Sequence, residues 1–224
     1  MNTSPFVLPD RIMRPALGSR WLDFILRRRA ADILRLSGLS DLLPDRGVLL
    51  DVGAGPGHIA EAVQLASPER HCVMVDPLHT PSEHLSRRGF KGLSWLRGDG
   101  MRLPFPPELF DGAWAAFVLH HVSLVEQERM LGEIARVLRP GAPFVLIEDT
   151  PATRREEAAT LRADRRLNAE RRSAPHAYRA PQAWPGVLAR HGLVAGWQLG
   201  FRGVFPRAGL RAVPHTVYLA HRAR

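Results

Sequence analysis

The sequence predicts an α/β protein with a doubly wound parallel sheet, and three observations carry that expectation. Short, almost wholly apolar runs alternate with amphipathic stretches between residues 47 and 150, the pattern of strands buried on both faces by helices. The first of these runs empties into a loop with glycine at alternate positions, Gly53, Gly55 and Gly57, and a helical stretch begins directly afterwards. Aspartates end three successive runs (Asp51, Asp76 and Asp99), at the sheet edge where open α/β sheets bind ligands.

Residues 1–9 carry two prolines and no periodicity, so an irregular arm is expected there. From Arg14 to Gly38 the spacing of Trp21, Phe24, Ile25, Ala30, Ile33 and Leu34 predicts a helix, with Arg27–Arg29 on a solvated face. Val48–Asp51 is the first strand. His58–Ser67 is a helix with Ile59, Ala62, Val63 and Ala66 on its buried side. His71–Asp76 is the second strand, with Cys72 inside it as a buried thiol. Glu83–Arg88 is a short helix ended by Gly89, and Leu93–Arg97 the third strand. Phe110–Leu119 reads as a long fourth strand. Ser123 and Glu126 form a capping box for a helix that runs to Leu138, with Leu131, Ile134, Ala135 and Leu138 buried. Pro143–Glu148 is the fifth strand. Thr153 and Glu156 suggest a second capping box, opening an exposed helix over residues 154–172 with a weak stripe of Ala158, Leu161 and Leu167. A loop over Ser173–Pro181, a helix over Trp184–His191 and two strands, Leu193–Gly200 and His215–Ala220, complete the chain as an antiparallel hairpin.

The 224 residues suit one domain: an N-terminal arm and helix (1–46), a core (47–150), a helical insertion (151–183) and a terminal helix with hairpin (184–224). The formal charge of +9 comes almost entirely from arginine. It is spread along the chain rather than striped, so a nucleic-acid partner is not expected. With no run long enough to span a membrane and no export pattern, a cytoplasmic location is expected.

The glycine loop is one residue short of the dinucleotide fingerprint G-x-G-x-x-G and lacks the G-K-[ST] ending of a triphosphate loop. Asp51 before it suits a ligand with a positive or neutral amino acid portion. The segments D-V-G-A-G-P-G, V-M-V-D-P, R-G-D-G-M-R-L-P-F, F-D-G-A-W-A-A-F-V-L-H-H-V and I-A-R-V-L-R-P-G-A-P-F-V-L-I-E-D follow in order. Together they resemble the class I S-adenosylmethionine-dependent methyltransferases, of the small-molecule type called type 11. The resemblance spans roughly residues 46–150. It implies a Rossmann-like, seven-stranded sheet with its last strand antiparallel, N-terminal helices and an inserted helical cap after strand five. It implies S-adenosyl-L-methionine as cofactor. Gly53, Ala54, Gly55, Gly57 and His58 would surround its methionine portion and Asp51 would lie near its amino group. Asp76 with Pro77 would take the ribose, Asp99, Gly100 and Met101 the adenine, and Phe117 would face the sulfonium.

The histidines at 120 and 121 follow a buried strand, where one side chain projects into the crevice. His120, titrating near neutrality, could accept a proton from the acceptor. Of Glu148 and Asp149, one is expected to point into the substrate pocket and the other to support a loop. Tyr178, Asn168 and Trp184 are the leading pocket candidates from the insertion, whose other charges, including Asp164 and Arg172, suit a solvated helix. His120, Asp149 and Tyr178 are thus the catalytic candidates, and no ordered ligand set for a metal is evident. The expected activity is methyl transfer to an oxygen, nitrogen or carbon of a small molecule. An RNA or protein methyltransferase and a non-catalytic cofactor-binding subunit are the alternatives.

Overall fold

The computed structural model describes residues 19–89, 91–167, 174–202 and 213–224. The arm, the start of the first helix, Asn168, Arg172 and Ser173 lie outside them, as do the Trp21 and Leu167 side chains. Helix α1 (Ser19–Ser37) leads to β1 (Gly47–Val52), α2 (His58–Ala66), β2 (Arg70–Asp76), α3 (Glu83–Arg88), β3 (Leu93–Arg97) and β4 (Gly112–Ala116). Then follow α4 (Leu124–Val137), β5 (Pro143–Asp149), α5 (Arg154–Leu167), α6 (Trp184–Arg190), β6 (Leu193–Arg202) and β7 (Pro214–Arg222). The seven strands lie in the order β3-β2-β1-β4-β5-β7-β6, with β7 antiparallel to both of its neighbours. The expected doubly wound sheet is therefore present.

Alternation along the central strands splits the core into two layers. Leu50, Ala113, Ala115, Phe144 and Leu146 face the layer built with α4 and α6, through Leu131, Ile134, Trp184 and Leu188. Leu49, Trp114, Val145 and Ile147 face the layer that holds Ile33 of α1, Ala60 and Val63 of α2 and Leu85 of α3. Strand order reverses between β1 and β4, which opens a crevice at their carboxyl ends.

Several local expectations need correction. Strand four ends at Ala116, not Leu119, because Phe117 adopts φ 57° and the chain then turns through a 3-10 segment, Leu119–His121. Phe110 makes only an isolated bridge to Leu138. On α2 the inward side is His58, Ala60, Glu61, Val63 and Gln64; Ile59 and Ala62 are half-buried and Ala66 is exposed. Polar side chains share this face because Gln64 and Glu61 meet loops and α3 rather than the sheet. On α5 the buried residues are Thr160, Ala163 and Asp164, and Ala158 is exposed. Thr153 caps the Glu156 amide at 3.2 Å, but Glu156 reaches back to Ala152 instead of Thr153, so that capping box is half formed. The Ser123–Glu126 box is complete.

Arg70 was not singled out by the pattern, yet its buried guanidinium organises the approach to β1. It donates to Pro44 O (2.8 Å), Ser40 Oγ (2.7 Å), Ser40 O (2.8 Å), Val63 O (3.0 Å) and Leu43 O (3.2 Å), tying the α1–β1 loop to α2. Removing it strands several carbonyls away from water, and each costs about 1–3 kcal/mol. Arg70→Met should lose about 3 kcal/mol or more of stability in urea unfolding; a loss below about 1 kcal/mol would contradict this assignment.

Candidate active site

Strand β1 delivers Asp51 to the crevice almost fully buried, and its Oδ2 has no hydrogen-bond partner among the described residues. Burial, reinforced by the charge of Asp76, holds its carboxyl well above the usual carboxylate range. Beyond it, Gly53 N and Ala54 N both donate to Val75 O, at 2.8 and 3.1 Å. Gly53 sits at φ 76°, and a Cβ there would lie 2.2 Å from Val118 Cγ2. Gly55, at φ 55°, is different: a Cβ would meet nothing within 4 Å. The loop is thus packed on one side by Val118 and open at Gly55. Gly57 then caps α2 in the left-handed conformation, with the helix's first N–H groups behind it.

Asp76, at the end of β2, is also buried. Its Oδ2 accepts from Gly55 N at 3.0 Å, and its Oδ1 accepts from Leu78 N (2.8 Å) and His79 N (2.7 Å), with His79 Nδ1 at 3.2 Å. Burial opposes its ionisation, but these donors prevail and hold it well below the usual range. Pro77 is exposed, and its carbonyl accepts from Arg97 Nε at 3.2 Å. Asp99 is exposed and accepts from Met101 N at 2.9 Å, fixing a turn in which Gly100 is buried against Met130 and Val52. His58 is turned toward α1, with Nε2 3.4 Å from Asp23 Oδ1, so its ring serves the helix pair. Burial lowers its pKa against the pull of Asp23 and Glu61.

The other wall is the turn after β4. Glu148 of β5 is fully buried and accepts from Val118 N (3.0 Å) and Leu119 N (2.6 Å) through one oxygen; the other meets His120 Nδ1 at 2.6 Å. Glu148 is therefore the loop support. Asp149, its neighbour on the opposite face, is held at 2.7 Å by His215 Nδ1 from β7. Phe117 packs edge-on to His215, at 5.2 Å between centroids. Tyr178 stacks on His120 at 5.2 Å, and its hydroxyl is buried without a hydrogen-bond partner among the described residues. Burial and the charges of Asp164 and Asp149 push that phenol far above its ordinary pKa. Trp184, by contrast, opens α6 and lies in the core rather than in the pocket.

His120 needs a revised role. Burial opposes its protonation, but the Glu148, Asp164 and Asp149 carboxylates outweigh burial and push it up to about 10. The direction of this shift favours the ring as a donor rather than the near-neutral base expected from sequence.

The sequence reading missed four participants. Asp164 is buried rather than solvated, 3.2 Å from His121 Nε2 and 2.8 Å from His176 Nδ1. Arg29, placed on the solvated face of α1, lays its guanidinium 5.4 Å from the Phe117 ring centroid and feels Asp149 and Asp164. Its position four residues before buried Ile33 was the available signal. Phe24, part of the spacing that predicts α1, is 60% exposed. Gln127, wholly buried on α4, donates to Leu119 O (3.1 Å) and Ala177 O (2.7 Å), pinning the loop of Tyr178 to the turn. Nothing in the sequence pattern pointed to it.

A family model described as a methyltransferase domain matches residues 50–146. The ubiquinone/menaquinone biosynthesis C-methyltransferase UbiE of Desulfotalea psychrophila is 26% identical over 145 residues, 64% of this chain and 53% of its own length. The demethylmenaquinone methyltransferase of Thermus thermophilus is 31% identical over 148 residues, 64% of this chain and 60% of its own. The chain thus spans a little over half the length of these curated relatives. The solved YcgJ protein of Bacillus subtilis superposes with a TM-score of 0.63 at 18% identity, covering 88% of this chain and 98% of that one, a likeness of fold. With the seven-stranded order and the five ordered motifs, these matches place the chain in the class I S-adenosylmethionine-dependent methyltransferase family.

Proposed function

We propose that this protein transfers a methyl group from S-adenosylmethionine to a small-molecule acceptor held between the Phe117–His120 turn and Tyr178. The observation that carries the reading is the pairing of an orphaned buried carboxylate, Asp51 Oδ2, with the open side of Gly55. A buried acid short of partners calls for a cationic donor, and a cofactor amino group is one. The residues present therefore fit the cofactor. When bound, it supplies an electrophilic methyl group. Asp51 would accept from its ammonium, the backbone at Gly55 would allow close approach, and Asp76 would serve as a pre-oriented anion for ribose hydroxyls. The Asp99–Met101 turn is the candidate adenine wall.

The acceptor side is set by Phe117, His120, Asp149 and Tyr178. Their work in this reading is chiefly to position the nucleophile, since fixing two reactants in line supplies much of such a barrier. The Tyr178 hydroxyl, buried without a partner among the described residues, is the group best placed to meet a polar atom of the acceptor. The relatives named for ubiquinone, menaquinone and demethylmenaquinone methylation support an oxygenated ring as the acceptor class. Among the described residues no helix is long and apolar enough to cross a membrane.

Two measurements test the cofactor half. Because the Asp51 acid is raised, S-adenosylmethionine should bind more tightly as pH rises, up to about 7.5, beyond which the cofactor's own amino group loses its proton. Proton release should accompany binding wherever Asp51 starts neutral. Asp51→Asn should remove this dependence and weaken binding about ten- to hundredfold, the worth of one charge-assisted hydrogen bond. Calorimetry across pH checks this, and a flat wild-type profile counts against it.

The glycines separate packing from ligand space. Gly53→Ala should destabilise the protein by about 2–3 kcal/mol, because the methyl group collides with Val118. Gly55→Ala should cost only about 1 kcal/mol of stability from its backbone conformation, yet weaken S-adenosylmethionine binding by about tenfold or more. Unchanged cofactor affinity in Gly55→Ala would remove the ligand from this loop.

A further inference from the structure

His120 and His121 of the 3-10 turn, Asp164 of α5 and His176 of the next loop converge in one buried cluster. His120, His121 and Asp164 each offer a nitrogen or oxygen within 4.8 Å of the others. Individual separations are tighter. His121 Nε2 lies 3.2 and 3.3 Å from the two Asp164 oxygens, His120 Nε2 is 3.6 Å from Oδ1, and His176 Nδ1 is 2.8 Å from Oδ2. Ligand atoms that each stand about 2.1 Å from one cation are themselves about 3 to 3.5 Å apart.

Two independent observations make this more than a cluster. Glu148 engages His120 Nδ1 at 2.6 Å, so in the neutral ring the Nε2 lone pair is left facing Asp164 and His121. That is the carboxylate–histidine arrangement which orients metal-bound imidazoles. In addition, His120 Nε2 and both ring nitrogens of His176 are buried and make no hydrogen bond among the described residues. His176 Nδ1 approaches Asp164 closely but without hydrogen-bond alignment. Buried polar atoms are rarely left in this state without a role.

We propose that His120, His121 and Asp164 bind one divalent transition-metal cation of the imidazole-preferring kind, with Glu148 as the outer carboxylate behind His120 and His176 beside Asp164. Two imidazole nitrogens and one carboxylate oxygen select such a cation over magnesium or calcium, which prefer all-oxygen shells. Tyr178 stacks on His120, which puts the ion on the acceptor side of the crevice. That an acceptor oxygen fills its open position rests on the methyl-transfer reading; the binding of the ion does not.

The test uses the full chain, free of any affinity tag, stripped with chelator and titrated with Co²⁺ in the absence of methyl donor and acceptor. One equivalent should bind saturably with ligand-field bands stronger than those of the aquo ion. Zn²⁺ should displace it and a hundredfold excess of Mg²⁺ should not. Removing an outer carboxylate typically costs about 10- to 100-fold in affinity, so His121→Ala and Asp164→Asn, which remove ligands, should cost about a hundredfold or more. His71→Ala, at an exposed histidine that meets Ser94, should change nothing. Equal loss in His71→Ala, or retention in both ligand variants, would overturn the site. If those variants do not fold, the wild-type spectrum decides: absent bands overturn the proposal. Failure of methyl transfer alone would leave the metal result standing, and the reverse also holds.

Discussion

The carboxylate of Glu148 is the interaction on which the site depends. It projects from the centre of the sheet into a fully buried position and captures two consecutive amides and one imidazole of the chain leaving β4. Phe117 can occupy its left-handed conformation, uncommon for a bulky residue, because the amides that follow it are held in this way. Once that turn is fixed, Val118 lies against Gly53, so the glycine loop and the histidine turn are in van der Waals contact. One buried acid thereby couples the two sides of the crevice.

Charge is divided across that contact. On the β1–β2 side, Asp76 is surrounded by amide donors and stays anionic, while Asp51 is raised by its burial and by that neighbouring charge. The side therefore has a settled anion and an acid waiting for a cation. On the β4–β5 side, Glu148, Asp149 and Asp164 are answered by histidines and by Arg29. Buried carboxylates of this density are stable only when each is paired. The need for pairing explains why α1, the turn after β4, the loop of His176 and β7 all send basic side chains toward these acids.

The order of strands and helices was legible in the residues because apolar runs and their punctuation by glycine, proline and aspartate follow from local physics. The Ser123–Glu126 cap and the Gly89 stop of α3 are of this kind. Strand β4 was overestimated because Phe117, Val118 and Leu119 are as apolar as the strand before them. What ends it is a carboxylate 30 residues away. Asp51 and the glycines could be named from spacing, since loop and helix start are contiguous in sequence. Asp164, His176 and Gln127 could not, since their roles arise from long-range packing among α4, α5 and the following loop; Arg29 had only its place four residues before Ile33 as a signal. The arginine-rich wording of α1 and α5 hid a half-buried guanidinium, Arg29, and a buried carboxylate, Asp164, among many solvated charges.

A structure of the protein with S-adenosylhomocysteine bound tests the central claim most directly. The account predicts its amino group about 3 Å from Asp51 Oδ2, its amino acid portion along the open side of Gly55, and its sulfur facing the Phe117–His120 turn that Glu148 holds. A ligand bound elsewhere, or one that leaves Asp51 Oδ2 without a partner, would contradict it.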